Sequence, residues 1–234
     1  MNTKNLAPRP QRTQRSRGFT LIELLIVVAI VAILAALAFP ALKNSLEVGR
    51  KAKCLSNLKQ LGQATLTYAA DNEQNYPPFV TRYSKGGMTF WYLEIRPYLG
   101  AKSPNFQPGE SNIPTFYCPS MDRKRGYPHT DYGANTFVFP PSWTPDECPQ
   151  TKVARIPSPS KIAMYSEVLS GGCNYDSSWQ LVATTVKQNP DQWFPHRHGE
   201  TVNMVFCDGH AQNVPRSEVV ANFTNYFGSG PVGE

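Results

Sequence analysis

The stretch that decides the fold is Gly18-Phe19-Thr20-Leu21-Ile22-Glu23-Leu24-Leu25-Ile26-Val27-Val28-Ala29-Ile30-Val31-Ala32-Ile33-Leu34-Ala35-Ala36-Leu37-Ala38-Phe39-Pro40. Between Phe19 and Phe39 only Thr20 and Glu23 are polar. As a helix this run is about 30 Å long, the thickness of one bilayer core. A lone carboxylate in hydrocarbon costs on the order of 3 kcal/mol or more, so Glu23 reads as a residue with a task. Two ordinary readings compete. A plain signal anchor leaves Glu23 unexplained. A secretory signal peptide could be cut after Ala36-Leu37-Ala38, but the acid in the apolar run and the long basic region before it count against that.

Working outward, residues 1–18 hold Lys4, Arg9, Arg12, Arg15 and Arg17 and no acid. The 234-residue chain has a net charge of +6, from 23 basic and 17 acidic residues. Without the five leader cations the balance is 18 against 17, or +1. The basicity therefore belongs to the leader. It holds the start of the apolar run on the cytoplasmic side and sends the rest outward. No basic stripe remains for nucleic acid, which is excluded as a partner.

Gly18-Phe19-Thr20-Leu21-Ile22-Glu23-Leu24 resembles the processing motif of type IV pilins and type II secretion pseudopilins. The resemblance implies cleavage by a dedicated prepilin peptidase between Gly18 and Phe19, with Phe19 methylated as the new N-terminus. It further implies that Glu23 meets the terminal amine of a neighbouring subunit, a cation that a buried carboxylate needs. Pro40 sits where many members of that family kink the helix; on its own it also fits a membrane exit.

The expected organisation is a leader over 1–18, a transmembrane or filament-core helix over 19–40, an amphipathic continuation over 41–72, and a globular domain over 73–234. In the continuation, Leu55, Leu58, Leu61, Leu66 and Ala69 form the apolar stripe. Gly49 and Gly62 weaken the helix locally. Asp71-Asn72-Glu73-Gln74-Asn75-Tyr76-Pro77-Pro78 is a stop signal. Its acids raise calcium as a lesser option, although the spacing is not that of an EF-hand.

Proline (21), glycine (16) and aromatic residues (12%) are plentiful enough to favour short strands and loops over a helical bundle. The fold class is α+β: a long N-terminal helix packed on a mainly antiparallel sheet, as in pilins. A short helix is expected within Thr89–Leu99. Strands are expected at Thr115–Cys118, Tyr132–Phe139, Ile162–Val168, Thr201–Cys207 and His210–Val214, and a helix over Ser217–Phe223. Residues 140–150 and 169–192 read as long connections. Asp208-Gly209 between two apolar runs predicts a hairpin with both turn residues at positive φ.

His198, nine residues, then Asp208-Gly209 is similar to the H-x9-D-G motif of a prepilin-like family with a large domain of unknown function. Four further fragments carry the same resemblance: Cys54 with Asn57-Leu58-Lys59-Gln60, Cys118-Pro119-Ser120, Tyr132-Gly133-Ala134-Asn135, and Met164-Tyr165-Ser166-Glu167. The family brings no established activity with it.

His196, Cys207, His198, His210 and Asp208 are metal-ligand types close in sequence, with His198, His210 and Asp208 the candidates. Hairpin geometry opposes using them all. The structural reading has Asp208 accepting a hydrogen bond from His198 or from turn amides. No bound cofactor is expected. No C-x-x-C pair occurs among the five cysteines. With export, Cys54–Cys118 is the first candidate disulfide, Cys148–Cys173 the second, and Cys207 stays reduced, although spacing alone fixes no connectivity. No nucleophile elbow, P-loop or paired-carboxylate signature points to an enzyme.

The expected function is a prepilin-like subunit of a type II secretion pseudopilus or a type IV pilus-like filament. Its partners would be other pilin-like subunits, the prepilin peptidase, the assembly machinery and the membrane. The alternative is a membrane-anchored binding or sensor module that never polymerises; a metal-dependent hydrolase using the His198–His210 region is weaker still.

Overall fold

The structure is a computed structural model that describes residues 18–83, 88–102, 113–121, 130–140, 150–168, 180–181, 194 and 197–228. The chain divides into two compact units, Met1–Ser45 and Leu46–Glu234. Helix α1 runs over Leu21–Asp71, through Pro40. In the first unit its apolar side chains are exposed, Leu21 at 87% and Leu37 at 72%. One helix among the described residues, this one, is apolar and long enough to cross a membrane.

The second unit is an α+β domain. Its five-stranded sheet has the order β5-β3-β4-β6-β7. The strands are β3 (Tyr132–Asn135), β4 (Ala163–Glu167), β5 (Gln180–Leu181), β6 (Thr201–Phe206) and β7 (Ala211–Pro215). All pairings are antiparallel except β3 with β5. A separate antiparallel hairpin, β1 (Val80–Arg82) with β2 (Met88–Phe90), precedes α2 (Trp91–Ile95). A 3-10 turn over Arg96–Leu99 follows α2 and stops at Gly100, φ 89°.

Both sheet faces are covered. On one, Val205, Cys207 and Tyr165 pack with Leu58, Leu61 and Ala64 of α1. On the other, Val202, Met204 and Phe206 pack with Val219, Phe223 and Phe227. Those last three lie in α3 (Arg216–Ala221) and α4 (Phe223–Phe227). This explains why β6 lacks a polar face: alternate residues enter two different cores.

Several sequence expectations are corrected. The buried α1 face is Cys54, Asn57, Leu58, Leu61, Ala64, Thr65, Tyr68 and Ala69, while Leu55 and Leu66 sit at its margins. The polar Asn57 and Thr65 belong to it because each has a partner: Asn57 Nδ2 donates to Tyr117 O at 2.9 Å, and Thr65 Oγ1 meets Tyr165 Oη at 2.7 Å. Instead of a strand at Thr115–Cys118 there is a 3-10 turn over Pro114–Phe116, because proline fixes φ and lacks a ladder donor. β3 ends at Asn135, not Phe139, since Asn135 Oδ1 accepts from Phe137 N at 3.0 Å and turns the chain. The hairpin between β6 and β7 has only Gly209 at positive φ (87°), and Gly209 N–H donates to Phe206 O at 2.8 Å. This is a three-residue loop closing on a left-handed glycine, not a two-residue turn.

Candidate functional site

At the start of the chain, Thr20 and Glu23 form a reciprocal cap. Glu23 Oε2 accepts from Thr20 N (2.9 Å) and Thr20 Oγ1 (2.8 Å), and Thr20 Oγ1 accepts from Glu23 N (3.3 Å). This is a capping box, legible in the sequence as Thr-x-x-Glu. Phe19 is 73% exposed, and a Cβ added at Gly18 would meet nothing within 4 Å. Among the described residues, packing does not require glycine there.

The second unit contains a cluster that local spacing could not reveal. Cys54 comes from α1, Cys118 from the loop after the Pro114 turn, Glu167 from the end of β4, and His198 from the turn before β6. Their ligand-type atoms all lie within 4.8 Å of one another, and all four residues are buried. His198 Nε2 is 3.4 Å from Cys118 Sγ and 3.0 Å from Glu167 Oε1; Cys54 Sγ is 2.5 Å from Glu167 Oε1.

A frame of hydrogen bonds fixes each member. Asn203 of β6 donates its N–H to Glu167 Oε2 and its amide to Glu167 Oε1, both at 3.1 Å. Asn203 is held in turn by Asn213 Nδ2 at 2.9 Å. Tyr132, opposite Glu167 in the β3–β4 register, brings its hydroxyl to 3.3 Å from Cys54 Sγ. Cys118 N donates to Asp131 Oδ2 at 2.8 Å. His198 Nδ1 lies 3.0 Å from Glu47 Oε1, which also accepts from Ser120 Oγ at 2.8 Å.

The electrostatics follow from this contact set. Burial opposes charge on His198, but its bonds to Cys118 and Glu167 win and raise it to about 10. Burial likewise opposes charge on Glu167, yet the bond and charge of His198 hold the carboxyl below its usual range. The hydrogen bond from Cys54 pulls the Cys118 thiol down to about 5, while burial pushes Cys54 up. The two thiols are biased in opposite directions, Cys118 toward the thiolate and Cys54 away from it.

The family comparisons reach only the N-terminal region. A family model for the prokaryotic N-terminal methylation motif matches residues 13–39. That supports a prepilin-type protein. Joined to the apolar α1, it points to a membrane-anchored chain and to the prepilin peptidase and pilin assembly machinery in general. The match stops before the H-x9-D-G region. No curated protein and no solved structure matches the chain.

The sequence-stated site residues distribute as follows. Cys54 and Cys118 are free thiols; the expected disulfide between them is not formed, and both belong to the four-residue cluster. Cys207 is a free buried thiol as well. Cys148, Cys173 and His196 lie outside the described residues. His198, His210 and Asp208 do not converge. His198 joins the buried cluster, whereas His210 pairs with Asp208 at 2.6 Å on the surface and stacks on Phe206. Asp208 accepts from His210 N at 3.0 Å, so the turn-amide alternative is the one formed, not a bond from His198. Among the described residues no converging ligand group includes Asp71 or Glu73, the calcium candidates. Glu47 and Glu167 were missed as site partners, although Glu167 stood in a quoted motif fragment.

Chemically, a thiolate beside an imidazole whose other nitrogen meets a carboxylate could be a nucleophile or a metal ligand set. Cys118 is 0% exposed and the His198 side chain is fully buried. A nucleophile there is closed off from solvent in this structure. Two surface grooves, one lined by Ser56, Gln60 and Tyr98 and the other by Lys161, Gln212 and Tyr226, lie elsewhere.

Proposed function

We propose that the chain is a prepilin-like structural subunit, cut after Gly18, methylated at Phe19 and assembled into a type II secretion pseudopilus or a type IV pilus-like filament. The observation that carries this is the methylation motif over residues 13–39, which overlaps the start of α1, where the apolar side chains from Leu21 to Phe39 are exposed in the isolated chain. Apolar surface on that scale has to be covered by lipid or by other helices. Gly18 adds support, because among the described residues no packing contact calls for glycine there while a peptidase reading the site would.

In this reading the five leader cations hold the precursor's N-terminus in the cytoplasm. The second unit is extracytoplasmic. The chain's work is assembly with other pilin-like subunits, driven by the secretion or pilus machinery, without a reaction of its own. Glu23 supplies the counter-charge for an incoming subunit's terminal amine.

Mass spectrometry of the full chain, expressed with and without the peptidase, tests this. The expected mature product begins at Phe19 and carries one extra methyl group. A product beginning at Met1 or Asn2, or a cut after Ala38, overturns it. Crosslinking between first-unit helices should then give a serial ladder; a processed chain that never crosslinks is an anchored module instead.

A further inference from the structure

We propose that Cys54, Cys118, Glu167 and His198 bind one zinc ion, which clasps the amphipathic part of α1 to the sheet. The inference is independent of processing at Gly18. Its first support is the donor set. Two sulfurs, one imidazole nitrogen and one carboxylate oxygen are zinc ligands, and they come together from four chain segments. Zinc bonds of about 2.3 Å to sulfur and about 2.0–2.1 Å to nitrogen or oxygen place tetrahedral ligands about 3.3–3.8 Å apart. The His198–Cys118 separation of 3.4 Å sits at that scale. His198–Glu167 at 3.0 Å and Cys54–Glu167 at 2.5 Å are shorter, so Glu167 has to draw back by up to about 1 Å as the ion enters.

The second support is the surrounding frame. A zinc-bound histidine characteristically donates its other N–H to a carboxylate, which fixes the ring and its tautomer. With Nε2 turned into the cluster, His198 Nδ1 faces Glu47 Oε1 at 3.0 Å. Glu47 is itself held by Ser120 and lies 3.6 Å from the Arg50 guanidinium. Two thiolates and a carboxylate around zinc leave one excess negative charge. The N–H and amide of Asn203 on Glu167, with the Tyr132 hydroxyl at Cys54, are placed to disperse it.

The third is burial. Four protein ligands with no solvent face make a closed site, which is the structural class of zinc centre. The placement fits that role. The ion would join α1, the loop after the Pro114 turn, β4 and the turn before β6, and every motif fragment that resembles the H-x9-D-G family contributes a ligand or a neighbour.

The test uses the full chain in detergent, freed of loose metal, with zinc counted by elemental analysis. About one zinc per chain is expected, and cobalt(II) in its place should show thiolate-to-cobalt charge-transfer absorption with tetrahedral d–d bands. Cys118→Ser and His198→Ala should lose the ion, whereas Cys207→Ser, at a buried thiol outside the cluster, should keep it. Glu47→Ala, at a partly exposed position that leaves the ligands in place, should weaken zinc affinity roughly 10–100-fold. His198→Cys substitutes another zinc ligand and should retain binding. The proposal is overturned by a chain with no stoichiometric zinc, by a Cys54–Cys118 disulfide in the mass of the unreduced protein, by cobalt spectra without thiolate absorption, or by equal zinc content in Cys118→Ser.

Discussion

At the level of one side chain, Glu23 combines an observed task with a proposed one. Its carboxylate caps its own helix through Thr20, and the proposed assembly contact needs its negative charge. Glutamine can accept the same hydrogen bonds but carries no charge, and alanine does neither. Glu23→Gln should therefore block filament incorporation as completely as Glu23→Ala, with membrane insertion unchanged in both. Incorporation of the glutamine variant at wild-type levels would leave only the cap. Asp208 gives a pH signature. Some burial opposes its charge, but the His210 amide and ring outweigh that and lower its pKa below 3.8. A depressed carboxyl stabilises the fold above its unfolded pKa and loses that contribution as pH falls through the folded value. Asp208→Asn should thus melt at a lower temperature than the parent at neutral pH, and the gap should close well below pH 3.8. A gap that stays constant down to that range would show that charge is not what Asp208 contributes.

Elements meet at two glycines whose demands differ. Gly62 lies on the buried face of α1, and a Cβ there would stand 2.6 Å from Val205 Cγ2 of β6. Alanine in a helix interior is worth about 1 kcal/mol over glycine, so the sequence alone reads Gly62 as a weak point. Here the helix–sheet contact reverses the sign: Gly62→Ala should destabilise by about 1–3 kcal/mol. Combined with Val205→Ala it should show a coupling of about 1 kcal/mol or more in chemical denaturation; simple additivity would mean the surfaces are not in contact. Gly209 is constrained by backbone conformation instead. At φ 87° an alanine is strained by about 1–2 kcal/mol. The nearest obstacle, the Gln63 amide at 2.6 Å, ends a flexible side chain. Gly209→Ala should therefore lose stability, and shortening Gln63 to alanine should restore little of it. The Asp208-Gly209 pair announced a hairpin correctly, but the loop length and the contact with α1 depend on the register of β6 and β7.

For the molecule as a whole, processing changes charge more than mass. The precursor has a pI near 9.1. Removal of residues 1–18 takes the balance from +6 to +1. Isoelectric focusing should place the mature chain at distinctly lower pH than the precursor; unchanged focusing in cells with active peptidase would mean that the leader is kept.

What the sequence determined by itself is written in contiguous residues. An unbroken apolar run, a basic leader, a Thr-x-x-Glu cap and an Asp-Gly turn each act within one contiguous segment, where neighbours in sequence are neighbours in space. The α+β class and the positions of β3, β4, β6 and β7 follow from similar local patterns, whereas the short β1, β2 and β5, the last within the expected connection 169–192, are too brief to show one. The buried cluster is of another kind. Cys54, Cys118, Glu167 and His198 share no helix face and no strand, and two of them read as a disulfide while nothing singled out the carboxylate. Only the packing of α1 on β4 and β6, with the loop after Pro114 folded over it, brings the four side chains to one point. Ligand convergence depends on distances between segments remote in the chain, and those distances exist only once the sheet has paired and the helix has docked.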